Sequence, residues 1–372
     1  MRTISIIHRR FAMDRSRPPG CFSRIGLAFA AVLATGGGAV GQVPAAQPPT
    51  TAPAPRPPVT PAAAAPAAPE VLDLETSDGV RLQAWLYRAA SDTHPPATPA
   101  GRRGTVRTTV ILLHDLGGSH AGVEPLARIL QRGGCHVIAP DLRGHGESTR
   151  RRGAGPRGDD LDAKQFKRAD LEAIASSTGG SVRDQADGRG DVETVRAFLR
   201  DQSEPGGPGL DRLVVVGVGA GASVAALWTA ADAAWPPIAT GPQGAQVRAL
   251  VLVSPQWAPR GLTILPALNQ DTVKKELPVL VVGGKGDRDA LRVYDHFKRH
   301  RPQDWFEQRV GQRPASAPKL ERPVDARTVL LQVDSDETAE KLLAVRRGEA
   351  GELVRGFLAA VLDAKAPGGE RP

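Results

Sequence analysis

The sequence predicts an α/β protein whose sheet is mostly parallel and doubly wound, and three observations carry that reading. Short unbroken apolar runs at 109–114, 213–216, 249–253, 279–282 and 328–333 read as strands covered on both faces. Segments of helical period separate them, the alternation that builds parallel crossovers. Directly after one run come Gly217, Gly219 and Gly221, as expected where a strand breaks sharply into a helix.

Taken in order, 71–76 and 80–87 are joined at Ser77-Asp78-Gly79 and predict an opening hairpin. The strand at 109–114 is followed by a helix over 123–132 and a strand at 135–139, which begins at Cys135. Residues 151–190 interrupt the rhythm: they are rich in Arg, Gly and Asp, with one helical stretch over 161–175. They predict a surface excursion at the carboxyl end of the sheet, where ligands bind in open α/β folds. Arg189-Gly190-Asp191 spells an adhesion tripeptide, but Asp191 before Val192-Glu193-Thr194 reads as the N-cap of a helix over 192–201. The strand at 213–216, a helix over 220–234, strands at 249–253 and 279–282, a helix over 290–300, the strand at 328–333 and a closing helix complete the domain. About two dozen residues separate the strands ending at Val253 and starting at Val279. That is too few for a helical cap domain, so any cleft there is open.

The chain has 372 residues and a formal net charge of +8. Arg2, Arg9, Arg10, Arg15, Arg17 and Arg24 precede the apolar run 25–35, and Ala39 and Gly41 stand where a signal peptidase cuts. The run is eleven residues long, against the roughly 20 of a spanning helix. Residues 1–41 are therefore expected to be a signal peptide of an exported protein, secreted or periplasmic, with an uncleaved N-terminal anchor as the alternative and Met13 as a second possible start. Six arginines and one acid fall within 1–42, so five of the eight positive charges leave with the leader. The remaining +3 gives no basis for a nucleic-acid partner. Of the two cysteines, Cys21 lies before the apolar run and Cys135 alone remains in the mature chain. An intramolecular disulfide is excluded there, and Cys135 reads as a small core residue. Residues 42–70, mostly Ala and Pro, predict an extended tether. The folded domain is expected over 71–363 and a flexible tail over 364–372, with no integral membrane span in the mature chain.

Four strings carry chemistry. His114-Asp115-Leu116-Gly117-Gly118-Ser119 follows the first parallel strand, and Asp141-Leu142-Arg143-Gly144-His145-Gly146-Glu147-Ser148 follows the second. The third is Gly217-Val218-Gly219-Ala220-Gly221, and the fourth is Gly284-Lys285-Gly286-Asp287 after the strand at 279–282. In this order they resemble the α/β-hydrolase superfamily across the whole stretch from Val71 to the closing helix. The resemblance implies an α/β-hydrolase fold with little or no cap domain. It further implies that Gly219 stands at the nucleophile position, that Asp287 is the triad acid, and that the amides of Leu116 and Ala220 form the oxyanion hole. Asp115 replaces the usual glycine of the oxyanion loop, which predicts a tighter or shifted turn.

Two of three triad members are missing. Glycine has no side chain with which to attack a carbonyl, and no histidine follows His300, the last strand leading instead into Asp334-Ser335-Asp336-Glu337. The expected protein is a catalytically inactive pseudo-hydrolase that binds a small ligand or a partner protein. One alternative is an active esterase or acyl hydrolase with a relocated nucleophile: Ser223, one turn along the helix, or Ser119, Ser148 or Ser335 served by His120 or His145. Another is a scaffold presenting 151–190. His296 and His300, four apart, have metal-binding spacing but read as a solvated helix face for want of a third ligand. No metal and no cofactor is expected, since the spacing of Gly217, Gly219 and Gly221 departs from a dinucleotide fingerprint.

Overall fold

The computed structural model describes residues 67–90, 107–152, 160–177, 190–202, 206–236, 244–311, 320 and 327–363. All of them lie in the compact unit 63–372. The expected leader 1–41 and tail 364–372 fall outside the described residues, as do most of the tether and parts of the 151–190 excursion.

The strands are β1 (Glu70–Glu75), β2 (Arg81–Tyr87), β3 (Thr109–Leu113), β4 (His136–Pro140), β5 (Leu213–Val218), β6 (Val247–Val253), β7 (Val279–Gly284), β8 (Trp305–Val310) and β9 (Thr328–Val333). Among the described residues they form one sheet of nine in the order β1-β2-β4-β3-β5-β6-β7-β9-β8. Only β1 with β2 and β2 with β4 run antiparallel; every other neighbouring pair is parallel.

Both faces of the middle of the sheet are covered, which is why its central strands are unbroken apolar runs. Ile111, Leu113, Leu213 and Val215 pack into one buried layer with helices α2 (Arg168–Ala175), α3 (Asp191–Asp201), α4 (Ala220–Ala233) and α7 (Arg288–His300). Val110, Leu112, Val214 and Val216 face the other, beneath α1 (His120–Arg132) and α9 (Glu349–Asp363). The strand period of two thus sorts one sequence run into two cores. Two short helices, α5 (Leu265–Asn269) and α6 (Asp271–Lys275), fill the stretch between β6 and β7. They bury Ala267, Leu268 and Val273 against the first layer, so this stretch is part of the body and not a lid.

Several expectations need correction. The sequence reading has no β8; it is an edge strand whose residues alternate between exposed and half-buried, so it lacks the apolar run that marks its neighbours. The helix expected over 161–175 is broken into a short turn at Ala163–Gln165 and α2. Asp191 does not cap α3: Gly190 holds the cap position, and Asp191, fully buried, pairs with Arg143 Nε at 2.7 Å. His296 is not on a solvated face. It is 6% exposed, and its Nε2 lies 3.2 Å from the carbonyl oxygen of Leu268.

Candidate active site of the hydrolase scaffold

The ends of β3, β5, β6, β7 and β9 converge where the site should lie. At the end of β5 the chain turns into α4 through Gly219, whose φ is 59° and ψ −123°. Side chains rarely tolerate that backbone conformation, and glycine adopts it at little cost. Its neighbours are needed for close approach: a Cβ on Gly217 would strike the backbone of Ala222, and one on Gly221 the carbonyl oxygen of His114. The strand-to-helix corner therefore keeps the shape of a nucleophile elbow without its side chain.

The space above Gly219 is filled from the neighbouring loop. Asp115, just past β3, turns its carboxylate over the corner, and its Oδ1 accepts from the amide of Ala220 at 2.6 Å and that of Leu116 at 2.8 Å. Gln256 Nε2 adds a third donor at 3.3 Å. These two amides are the ones the resemblance assigns to the oxyanion hole. A Cβ placed on Gly219 would overlap the carboxylate carbon and both oxygens of Asp115. One acidic side chain thus takes both positions that the resemblance assigns, that of the nucleophile and that of the oxyanion. Burial pushes its carboxyl above the usual range; the Ala220 and Leu116 amides pull it back, and nearby Glu340 pushes it up again.

Glu340 comes from the region after β9, where the resemblance places a histidine. It belongs to α8 (Ala339–Ala344), and its Oε1 accepts from the Asp115 amide at 2.8 Å. The side chain lies along Gly118 of the loop after β3 and Gly122 in the first turn of α1: a Cβ on Gly122 would come within 3.0 Å of its Cγ and one on Gly118 would meet its Oε1.

Asp287 stands after β7 at the start of α7, where its Oδ1 accepts from the Ala290 amide at 2.9 Å. Its Oδ2 is buried, and so is the hydroxyl oxygen of the adjacent Ser254. Burial raises the Asp287 carboxyl; the Ala290 amide, and then the adjacent Ser254 hydroxyl, favour its charged form. Ser254, just past β6, has a φ of 43°, unusual for a residue with a side chain. Asp115, Gly219, Ser254, Asp287, Asp289 and Thr338 line an open cleft of about 420 Å³. Sequence reasoning passed over Ser254, Asp289 and Glu340; the one available signal was that Ser254 and Asp289 fall just past strand ends.

The remaining candidates lie elsewhere. Ser223 is fully buried and donates to the carbonyl oxygen of Gln256 at 2.5 Å. Ser148, also buried, accepts from the Gln83 amide at 2.9 Å, and Ser335 accepts from the Glu337 amide at 3.1 Å. Ser119 occupies the N-cap position of α1. The ring of His120 stacks on Trp85 with centroids 3.2 Å apart, its Nδ1 3.2 Å from Asp141 Oδ1. His145 is buried beneath the loop, Nδ1 2.8 Å from the Arg143 carbonyl oxygen and Nε2 unpartnered. His114 takes the Leu142 amide on Nε2 at 3.0 Å, which leaves Nδ1 to carry the proton and donate to the Asp115 carbonyl at 2.7 Å. Cys135 is buried. The Asp141 to Ser148 string is architectural: Arg143 bridges Asp191 and Asp78, at 2.7 Å and 2.8 Å. Among the described residues, no group of three His, Cys, Asp or Glu side chains is placed to hold a metal ion. Nor is any described helix long and apolar enough to cross a membrane.

The sheet order and the sharp turn from β5 into α4 fit a hydrolase scaffold. Residues 110–367 match the alpha/beta hydrolase family, and the chain belongs to it. Solved structures with a similar fold include an esterase from Pyrococcus furiosus, 16% identical, covering 78% of this chain and 89% of that one with a TM-score of 0.48. A serine hydrolase without lid from Xanthomonas campestris is 19% identical, over 80% and 95% of the two chains, TM-score 0.44. Est1E from Butyrivibrio proteoclasticus, solved with ferulic acid, is 13% identical over 78% and 99%, TM-score 0.46. No curated protein sequence matches the chain.

Proposed function

We propose that the chain is an exported α/β-hydrolase-fold protein that does not hydrolyse esters and uses the cleft above Gly219 to bind a small ligand. The observation that carries this reading is the Asp115 carboxylate held by the amides of Ala220 and Leu116. In subtilisin, loss of the serine alone costs about 10⁶ in turnover, and the roughly 10³ to 10⁴ that survives rests on the oxyanion hole and substrate binding. Here the hole already contains an anion. A substrate carbonyl would have to displace a carboxylate to reach those amides, and its developing negative charge would meet Asp115 and Glu340. The residual route is thereby closed as well as the main one.

A relocated serine gains little support from the geometry. Ser223 is buried and spends its hydroxyl hydrogen on a carbonyl, and among the described residues no histidine lines the cleft to take a proton from Ser254. Export is supported by the arginines before the apolar run 25–35 and the small residues after it. The test is incubation of the purified chain with a fluorophosphonate followed by intact-mass analysis. No adduct is expected; a stoichiometric adduct on Ser254, Ser223 or any other serine overturns the reading.

A further inference from the structure

Among the described residues the sheet ends in β1 on one side and β8 on the other. The two edges are built differently. β1 carries Glu70, Asp73 and Glu75 within six residues, a charged margin of the kind that keeps an edge strand from pairing with its like. β8, the run Trp305-Phe306-Glu307-Gln308-Arg309-Val310, carries one acid and one base instead. The carbonyls of Asp304 and Val310 accept from the amides of Thr328 and Asp334 at 3.0 Å and 2.9 Å, so the even-numbered positions face β9. By alternation, the amides and carbonyls of Trp305, Glu307 and Arg309 point away from the sheet. Trp305 is 37% exposed, one of three large apolar side chains left open among the described residues. Glu307 pairs with Lys298 at 2.9 Å, whereas Arg309 is exposed and has no ion pair among the described residues.

We propose that β8 pairs antiparallel with β8 of a second copy of this chain, about a twofold axis at Gln308, so that one sheet runs through both copies. In that register Glu307 stands opposite Arg309 of the second copy, and by symmetry Arg309 stands opposite Glu307 of the second copy. Both pairs fall on hydrogen-bonded positions, because these residues turn their backbone groups outward. On the other face of the sheet Phe306 meets Val310 of the second copy, extending the apolar layer that both already join. Trp305 comes opposite Gly311 of the second copy, which has no side chain to crowd the indole. Opposite charges and an aromatic beside a β-branched residue are favourable cross-strand pairs. The charges also fix the register. Moving the axis one residue, to Glu307 or to Arg309, sets that residue against its own copy and brings like charges together.

The test is the mass of the full-length chain in solution, by light scattering and sedimentation over a wide range of concentration, with Glu307→Arg and Arg309→Glu as variants. Both side chains are exposed, so the fold should persist, as circular dichroism checks. The wild-type chain is expected to dimerise. Each variant lines like charges along the edge and should self-associate at least about tenfold more weakly. An equimolar mixture of the two variants restores opposite charges at both pairs, so it should dimerise again, as the mixed species in native mass spectrometry. The amides of Glu307 and Arg309 should exchange with deuterium more slowly in the wild-type dimer than in either variant alone. A wild-type chain that is monomeric throughout, its edge left to a strand of some other protein, overturns the proposal. So does a dimer that either variant leaves intact, or a pair of weakened variants whose mixture stays monomeric.

Discussion

The carboxylate of Asp115 occupies the volume that a side chain on Gly219 would require. Each residue explains the other. A serine at position 219 would collide with Asp115, and a glycine at position 115 would leave the amides of Leu116 and Ala220 open to substrate. The glycine at position 219 and the seating of Asp115 on the amides of Leu116 and Ala220 are therefore one structural event.

Restoring serine alone should fail. Gly219→Ser must tolerate a φ of 59°, a strain on the order of 1–3 kcal/mol, and must also push Asp115 aside. Its melting temperature is expected to fall and its ester turnover to stay at background. The triple variant Asp115→Gly, Gly219→Ser, Thr338→His clears the overlap and adds a base at the cleft wall. It alone should take up a fluorophosphonate, on the hydroxyl introduced at position 219, as read by intact mass and peptide mapping.

Removing the charge at Asp115 should stabilise the fold at neutral pH. A carboxyl whose native value is raised binds its proton more readily when folded than when unfolded, so ionising it above the unfolded value costs stability. Asp115→Asn keeps an oxygen for the two amides and removes that cost. Denaturant midpoints at pH 7 are expected to rise for Asp115→Asn. Near pH 3, below the usual carboxylate value of 3.8, the two proteins should converge. A lower midpoint at pH 7 would mean the charge is needed to hold the loop.

The fold was legible wherever a strand lies in the middle of the sheet, because burial on two faces writes an unbroken apolar run. It was illegible at β8, where Trp305 and Glu307 are exposed, and at α5 and α6, which are too short to show a helical period. Gly219 and Asp287 were singled out through the resemblance, from their places after β5 and β7, and both line the cleft. The arrangement of Asp115 was not: the sequence shows an acid in a loop expected to be glycine, and only the convergence of β3 with the start of α4 brings its carboxylate onto the Ala220 amide. Glu340 was hidden for the same reason, its partner lying 225 positions away.

His114 should remain neutral well below the usual imidazole range. Burial first, and then the neighbouring His145, lower it from 6.5 to about 4. Such a group contributes stability that is present above 6.5 and lost as pH falls toward 4, a few kcal/mol at most, at about 1.4 kcal/mol per unit. The raised carboxyls of Asp115, Asp191, Asp232 and Asp287 work in the opposite sense, so the ring itself is the better reporter. Nitrogen-15 spectra at pH 5.5 are expected to show His114 protonated on Nδ1 only; an imidazolium signal at that pH would contradict its buried hydrogen-bond pattern.

Arg143→Ala should be among the most damaging single substitutions. It strands Asp191, which is fully buried, and removing one partner of a buried ion pair costs about 3–5 kcal/mol. Chemical denaturation checks this, with the double variant Arg143→Leu, Asp191→Leu expected to recover much of the loss.

Steady-state hydrolysis of p-nitrophenyl butyrate by the purified wild-type chain tests the central claim most directly. The rate should equal that of buffer. Turnover that persists through purification and disappears in Ser254→Ala or Ser223→Ala would show that a serine works in this cleft despite the carboxylate of Asp115.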